Sequence, residues 1–161
     1  MANNDLLIKL YDMTFEEHFS ENLINRDAVL RKPIGPDRSA IISWAKQHFP
    51  ALWLGEIERA LANTPCSCFI AQQGSALLGF ACYDATALGY FGPVGVIEEA
   101  RGKGIGGSLT KACLLDMRLK GYGYAIVGMA DAIEFYRKIA AVIEIPGSDP
   151  GIYRMTKALK S

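Results

Sequence analysis

The stretch that decides the fold is a glycine-rich segment, Val96-Ile97-Glu98-Glu99-Ala100-Arg101-Gly102-Lys103-Gly104-Ile105-Gly106-Gly107. It follows apolar residues 88–96, which are typical of a strand, and precedes an amphipathic helix that ends near Gly121. The apolar stripe of this helix repeats at Ile105, Leu109, Ala112, Cys113 and Met117. Glycines let the backbone approach a phosphate closely, and the unpaired amides at a helix start attract anions. With Arg101 and Lys103 beside it, the segment predicts a phosphate or pyrophosphate site; the alternative is a plain capping turn.

Length, composition and charge restrict the function classes. The chain has 161 residues, of which 50% are apolar and 21% charged, so we expect one globular domain over residues 1–161. Its 17 basic residues balance its 17 acidic residues, which argues against recruitment of nucleic acid or an anionic membrane by net charge. The first residues, 1–12, lack the features of a secretory signal, and a cytoplasmic location is expected.

Cysteine and histidine spacing indicates neither a disulfide framework nor a metal site. The cysteines contain no Cys-x-x-Cys pair and are interpreted as buried apolar residues: Cys66, Cys68, Cys82 and Cys113. His18 and His48 are far apart in sequence and match no zinc-binding spacing. No metal is therefore expected.

The pattern of apolar residues predicts a mixed α/β chain without internal repeats. Helices are expected at about 14–25, 41–49, 50–62, 105–120 and 133–139. Strands are expected at about 6–11, 68–73, 77–83, 88–96, 124–129, 142–145 and 152–156. The three consecutive strands between residues 68 and 96 predict an antiparallel meander.

Three anion-binding motifs compete for the glycine segment. A P-loop requires a Lys-Ser or Lys-Thr pair after the glycines, and none is present. Gly102, Gly104 and Gly107 satisfy the Gly-x-Gly-x-x-Gly dinucleotide fingerprint, and Asp131 follows the next strand as a ribose-binding candidate. That fingerprint normally opens a series of βαβ units, whereas a meander precedes it here. A dinucleotide-binding module therefore stays an alternative.

The third motif has a family resemblance. Arg101-Gly102-Lys103-Gly104-Ile105-Gly106 resembles motif A of the GNAT superfamily of acyl-CoA N-acyltransferases, whose consensus is Arg/Gln-x-x-Gly-x-Gly/Ala. Ala132-x-x-Phe135-Tyr136-Arg137-Lys138 is similar to its motif B. The similarity covers roughly residues 66–156, and the element order before them also agrees with the family. The resemblance implies an α/β fold of α+β type. It has a central, mostly antiparallel sheet of six to seven strands, a splayed fourth and fifth strand, and about four to five flanking helices.

The resemblance also implies where acetyl-CoA would bind as cosubstrate. The loop amides would hold its pyrophosphate, and two valines of the fourth strand would offer backbone groups to the pantetheine and the thioester carbonyl. The expected cofactor-binding residues are Val94, Val96, Arg101, Gly102, Lys103, Gly104, Ile105, Gly106 and Gly107. Tyr136 matches the tyrosine that protonates the departing thiolate in the family. Arg137 and Lys138 are expected either to reach the CoA phosphates or to form a solvated helix face.

The proton acceptor is left open by the sequence. An amine has a pKa of about 10 and must lose a proton before it attacks a thioester. GNAT enzymes often place a glutamate on the fourth strand, but residues 85–97 contain no carboxylate. Asp84, Glu98, Glu99 or a water chain remain candidates. An aromatic group, Trp44, Phe49 and Trp53, is expected either to line an acceptor pocket or to belong to the core.

These patterns favour an N-acetyltransferase that transfers an acetyl group from acetyl-CoA to a primary amine by direct attack. A small metabolite is preferred over a protein as acceptor, since no acidic run in the sequence suits a lysine-rich partner. A non-catalytic CoA-binding sensor is an alternative, because the strand-four glutamate is absent. The oligomeric state, with a homodimer among the options, is not decided by the sequence.

Overall fold

The computed structural model describes residues 3–14, 24–25, 28–156 and 159. Its strands are β1 (Leu6–Lys9), β2 (Ile24–Asn25), β3 (Ala28–Arg31), β4 (Cys68–Gln73), β5 (Ala76–Tyr83), β6 (Tyr90–Val96), β7 (Tyr124–Val127) and β8 (Val142–Glu144). Its α-helices are α1 (Arg38–His48), α2 (Ala51–Ala62), α3 (Ile105–Lys120) and α4 (Ile133–Arg137). Short 3-10 turns connect several of these elements.

The strands of the described residues form one sheet in the order β2-β3-β4-β5-β6-β7-β1-β8. Neighbouring strands are antiparallel, except that β6 and β7 run parallel. These two strands pair only at Tyr90 with Ile126 and at Phe91 with Val127, although β6 continues to Val96. The sheet therefore opens after Phe91, which confirms the expected splay of the fourth and fifth predicted strands.

Side chains from β5 alternate between two hydrophobic cores. Ala81 and Tyr83 contribute to the core under α3, whereas Phe80 and Cys82 contribute to the core under α1 and α2. Successive residues of a strand point to opposite faces of the sheet, so one central strand can serve both cores. The helices accordingly cover both faces, and the mixed α/β fold class is confirmed.

Two glycines determine where α3 begins and ends. Gly104 precedes the helix with φ +81°, and Gly121 follows it with φ +109°, both in the left-handed region that favours glycine. At the C-terminus, Gly121 N donates to Arg118 O, and Tyr122 N donates to Met117 O. This pair of bonds is the Schellman motif, which satisfies carbonyls that the helix would otherwise leave unpaired.

The ends of the chain differ from the predicted elements. Most of the helix predicted at 14–25 lies outside the described residues, and Ile24–Asn25 instead pairs as β2 with β3. This short hairpin adds strands to the predicted six to seven, so that the described sheet has eight. The strand predicted at 152–156 is wrong: Gly151–Tyr153 forms a 3-10 turn. Gly151 has φ +57°, so the chain turns immediately before the predicted strand, and residues 152 and 153 belong to that turn.

Other sequence features have plain structural positions. The four cysteines are free thiols; Cys66 is half-buried and the other three are buried. Within the described part of the chain, no group of three or more potential ligands is placed to hold a metal ion. Over the same residues, no helix combines the length and apolarity that a bilayer crossing requires.

Candidate active site

The gap between β6 and β7 opens into a cavity of about 800 Å³. Its walls are formed by both strands, α2, the start of α3, α4 and the C-terminal turn. The lining residues include Trp53, Glu56, Thr86, Val94, Val96, Gly106, Asp131, Tyr136 and Tyr153. A concave site of this size, built mainly from apolar side chains with a few polar groups, is suited to a small-molecule ligand.

The free edge of β6 presents backbone groups to this gap. Ile97 N donates to Leu78 O at 2.9 Å, and β5 pairs with β6 in antiparallel register. Every second residue of such a ladder bonds across to its neighbour, so Gly95 bonds to β5. Val94 and Val96 therefore point their N–H and C=O groups toward the gap. Arg101 Nε already donates to Val96 O at 3.1 Å, which attaches the glycine loop to the strand.

A local irregularity bends β6 where it leaves β7. The β5–β6 register shifts between Ala81 and Tyr83, and Gly92, opposite this shift, has φ +121°. Bulges of this kind turn a strand and re-aim its backbone. At Gly95 the ring of Phe49 packs so closely that an added Cβ would overlap it, which seats the α1–α2 junction on this strand.

A buried carboxylate, Asp5, stabilises the turn that follows β7 at the gap. Asp5 is 5% exposed, and its Oδ1 accepts a hydrogen bond from Met129 N at 2.8 Å. Met129 has φ +46°, an uncommon conformation for a residue with a side chain. The chain therefore turns away after Val127, two residues before the predicted end of the strand, and leaves β6 unpaired on that side.

The glycine loop leads into the start of α3 through two left-handed glycines. Gly102 and Gly104 have φ +80° and +81°, and the first intrahelical bond of α3 is donated by Ser108 N to Gly104 O. The amides of Ile105, Gly106 and Gly107 therefore have no acceptor within the helix. Gly106 lines the cavity, so these amides lie at its end. Arg101, Gly102 and Lys103 are exposed beside them.

Tyr136 is a buried phenol in the cavity wall. It is 7% exposed and makes edge contacts with the rings of Phe91 and Phe135, at centroid distances of 6.2 and 5.0 Å. Burial raises the pKa of Tyr136, and the charge of Asp131 raises it further. The phenol consequently keeps its proton at neutral pH.

A carboxylate that sequence reasoning missed lies in the same cavity. Glu56, on α2, is half-buried and accepts a hydrogen bond from Thr86 Oγ1 at 2.6 Å. Burial raises the pKa of Glu56, and the bond from Thr86 lowers it in part. Glu56 lies three residues after Trp53 on the same face of α2. The spacing of Trp53 and Glu56 in the sequence indicates that they share a helix face. It does not indicate that this face lines a cavity.

The sequence of this chain matches a known protein family. The family is described as "Acetyltransferase (GNAT) family", and the match covers residues 37–141, more than half of the chain. The chain belongs to the GNAT acetyltransferase family. The match includes β6, the loop, α3, β7 and α4, which contribute to the cavity wall. The family resemblance of the two sequence motifs is thereby confirmed.

Solved structures of GNAT proteins share this fold. A glucosamine N-acetyltransferase region of a fungal multi-domain GH3 β-N-acetylglucosaminidase superposes with a TM-score of 0.70 at 13% identity, covering 88% of this chain and 19% of that chain. An N-acetyltransferase from Kribbella flavida gives 0.57 at 14%, covering 91% and 59%. A putative acetyltransferase from Pyrococcus horikoshii gives 0.54 at 18%, covering 78% and 45%.

These likenesses are likenesses of fold. The chain spans 19%, 59% and 45% of the lengths of the three solved chains, so each of them continues well beyond the shared domain. No curated protein matches.

The carboxylates proposed from sequence as GNAT proton acceptors do not line the cavity. Asp84 is 1% exposed and accepts hydrogen bonds from Gly89 N, Lys120 Nζ and Tyr122 Oη at 2.8 to 2.9 Å. It is a structural anchor rather than a solvated turn residue. Glu98 and Glu99 are exposed on a 3-10 turn at the exit of β6.

The remaining sequence candidates of this GNAT chain divide between cavity and core. Trp53 lines the cavity and also packs on Phe49 and Phe80. Trp44 and Phe49 pack with Phe80 in the core below the cavity. On α4, Arg137 pairs with Glu134 at 2.5 Å, with both side chains largely exposed. Lys138 is exposed as well.

Proposed function

We propose that this GNAT protein is an N-acetyltransferase that transfers an acetyl group from acetyl-CoA to a primary amine by direct attack. The observation that carries the proposal is the cavity between β6 and β7, which joins an unpaired strand edge to the unbonded amides at the start of α3. An extended chain ending in a pyrophosphate fits both features at once. The expected cofactor-binding residues, from Val94 through Gly107, keep these roles in the proposal.

The loop and helix start would hold the pyrophosphate. Two left-handed glycines bring the backbone close without side chains in the way, and the amides of residues 105–107 point outward from the helix. The helix dipole adds a favourable partial charge. Because the formal net charge of the chain is +0, this local arrangement, with Arg101 and Lys103, supplies the attraction for the anion.

The strand edge would position the reacting thioester. The N–H of Val94 or Val96 can bond to the pantetheine amide groups or to the thioester carbonyl. A fixed amide aimed at that carbonyl stabilises the oxyanion that develops during attack. The hydrogen bond from Arg101 Nε to Val96 O holds the loop next to this strand edge.

Tyr136 would supply the proton for the leaving group. As the amine nitrogen bonds to the carbonyl carbon, the C–S bond breaks and the sulfur leaves as a thiolate. Transfer of the Tyr136 proton gives the free thiol, and the phenol is restored by a proton released from the nitrogen. The overall reaction converts an ammonium and a thioester into an amide, a thiol and one proton.

A small molecule is the preferred acceptor. The cavity volume of about 800 Å³ falls within the range of roughly 300 to 1,000 Å³ that is usual for small-molecule sites. Both the acyl group and the acceptor must enter this space. A protein acceptor would have to present its amine on a protruding side chain.

Binding and turnover measurements test the proposal separately. Calorimetric titration is expected to show saturable binding of CoA and acetyl-CoA, and release of free thiol is expected with a panel of primary amines. Stabilisation by NAD(H) instead of CoA would identify a dinucleotide-binding module. Binding of CoA without turnover of any amine would identify a non-catalytic sensor.

Three further proposals concern the setting of the enzyme. We propose that residues 1–161 form one acetyltransferase domain, that it acts in the cytoplasm, and that a homodimer is a candidate for its assembly. Size-exclusion chromatography with light scattering measures the assembly directly.

A further inference from the structure

A half-buried carboxylate in the cavity wall has no role in the scheme above. Glu56, on α2, places its carboxylate in the cavity wall, and Thr86 Oγ1 donates a hydrogen bond to one of its oxygens at 2.6 Å. Among the lining residues that the structure describes, the other carboxylate is Asp131, and none is a lysine or an arginine. A charge placed here against a burial cost points to a cationic partner.

The surroundings of Glu56 keep it in one position. Arg59, one turn further along α2, reaches the carbonyls of Ala85 and Thr86 at 3.4 Å each. The loop that carries Thr86 is thereby tied to the helix that carries Glu56. The carboxylate consequently faces the cavity with one oxygen bonded to Thr86.

Tyr153 lies between the loop that carries Thr86 and the end of β7. Its ring lies over Gly128, where an added Cβ would come within 2.9 Å of it. Burial raises the pKa of Tyr153, contact with the Thr86 hydroxyl lowers it in part, and the charge of Glu56 raises it further. The titratable and charged groups around Glu56 are therefore Tyr153, Arg59 and, across the cavity, Asp131 and Tyr136.

Apolar side chains surround the carboxylate. Leu52 and Trp53 lie one turn before Glu56 on the same helix face, and both line the cavity. Ile152, next to Tyr153, lines it as well. Leu52 is 81% exposed and Ile152 is 47% exposed, so both side chains are accessible to a ligand that enters the cavity.

We propose that Glu56 binds the ammonium group of the acceptor and accepts its proton, and that the acceptor is a primary amine on an aromatic or branched apolar body. This inference rests on the proposed acetyl transfer. It adds the residue that performs the deprotonation and the chemical class of the second substrate. Trp53, Leu52 and Ile152 would cover the apolar body.

The proton inventory balances with Glu56 in this role. The ammonium loses one proton to the Glu56 carboxylate, and the neutral amine attacks the thioester carbon. The second proton leaves the nitrogen of the adduct and compensates for the one that Tyr136 gives to the thiolate. Glu56 returns its proton to solvent, so one proton is released per amide formed.

Glu56→Gln tests the assignment with little disturbance of the fold. The amide keeps an oxygen that accepts the Thr86 bond but removes the charge and the basic site. Glu58→Gln is the matched control, because Glu58 lies on the same helix and does not line the cavity. The probes are 2-phenylethylamine as an apolar amine and glucosamine as a polar amine of similar size.

With 2-phenylethylamine, kcat/KM is expected to fall roughly 100-fold or more in Glu56→Gln, as is usual for loss of a general base. The Kd of acetyl-CoA is expected to stay within about twofold, and Glu58→Gln is expected to match the parent. Glu56→Asp, which restores a carboxylate, is expected to recover part of the loss.

Three results overturn the inference. Unchanged kcat/KM in Glu56→Gln removes the residue from the chemistry. A kcat/KM for glucosamine that equals or exceeds that for 2-phenylethylamine contradicts the apolar class. Acetyl-CoA binding by the parent protein without turnover of either amine also contradicts the acceptor assignment. Failure of the parent to bind acetyl-CoA at all would instead overturn the proposed function itself.

Discussion

Gly104 and Gly121 stand at opposite ends of α3 and share a left-handed backbone, but only Gly104 lies in the glycine loop. Glycine can be required at such a position for two reasons: the left-handed backbone, or the space that a bound ligand needs. A side chain at either position strains the backbone by about 1–2 kcal/mol. At Gly104 it would also project beside the amides that we expect to bind the pyrophosphate.

Gly104→Val is therefore expected to weaken CoA binding at least tenfold, while Gly121→Val is expected to bind CoA normally. Both variants should lose a similar amount of unfolding free energy, of order 1–2 kcal/mol. Calorimetric titration with CoA and urea denaturation measure the two quantities separately. Equal CoA affinity in the two variants would remove the glycine loop from the binding site.

The second residue-scale prediction concerns Tyr136. Tyr136→Phe keeps the ring contacts with Phe91 and Phe135 but removes the proton donor. We expect kcat to fall by roughly 100-fold, in the range usual for a general acid, with the Kd of acetyl-CoA preserved. Tyr153→Phe, which removes the other phenol among the described residues that line the cavity, serves as the comparison. A larger kcat loss in Tyr153→Phe than in Tyr136→Phe would transfer the acid role to Tyr153.

At the scale of elements, an ion pair joins the start of α1 to the end of β3. Arg31, at the end of β3, donates to both carboxylate oxygens of Asp37 at 2.8 and 3.0 Å. Ile34 N donates to the same carboxylate at 2.7 Å. These bonds lower the pKa of Asp37 to about 2, and the carboxylate is stabilised in its charged form.

Because the pKa of Asp37 is lower in the folded state, its contribution is present above pH 4 and is lost as the pH falls toward 2. Asp37→Asn is expected to cost about 1 kcal/mol of unfolding free energy at pH 7, a value that allows for solvent screening of a surface pair. The difference between the two proteins should shrink between pH 4 and pH 2. Urea denaturation across this range measures it, and a difference independent of pH would contradict the ionic origin.

The sequence predicts elements well where the determining contacts are local. The β6–loop–α3 unit follows from the local pattern of apolar residues and glycines, whereas the place of Tyr136 in the site was implied by the resemblance to motif B of the GNAT family. The β2–β3 hairpin and the turn at 151–153 were not predicted, because short segments carry little periodicity.

Burial of charged residues was the other feature beyond the sequence. The sequence around Asp84 is typical of a solvated turn. In the structure, however, Asp84 accepts hydrogen bonds from Lys120, at the end of α3, and from Tyr122, in the turn after it. Glu56 looks like an ordinary polar position of an amphipathic helix, yet it faces the cavity. In both cases a partner more than 25 residues away in the chain determines the environment.

At the scale of the whole molecule, the parallel contact of β6 and β7 divides the sheet into two halves that meet at only two residue pairs. Strands β2 to β6 form one half, and β7, β1 and β8 form the other. The cavity lies where the halves diverge. A ligand in this gap would replace the missing strand contacts and couple the two halves.

Amide hydrogen exchange measured by NMR tests this coupling at single residues. The N–H groups of Val94 and Val96 face the gap, whereas the N–H of Gly95 bonds to β5. Saturating CoA is therefore expected to slow exchange at Val94 and Val96 by roughly tenfold or more and to leave Gly95 much less affected. The amides of Gly106 and Gly107 should gain protection from the pyrophosphate in the same experiment. Protection confined to the glycine loop would mean that the pantetheine does not follow β6, and uniform slowing at all these amides would indicate general stabilisation of the fold instead of contact with the strand edge.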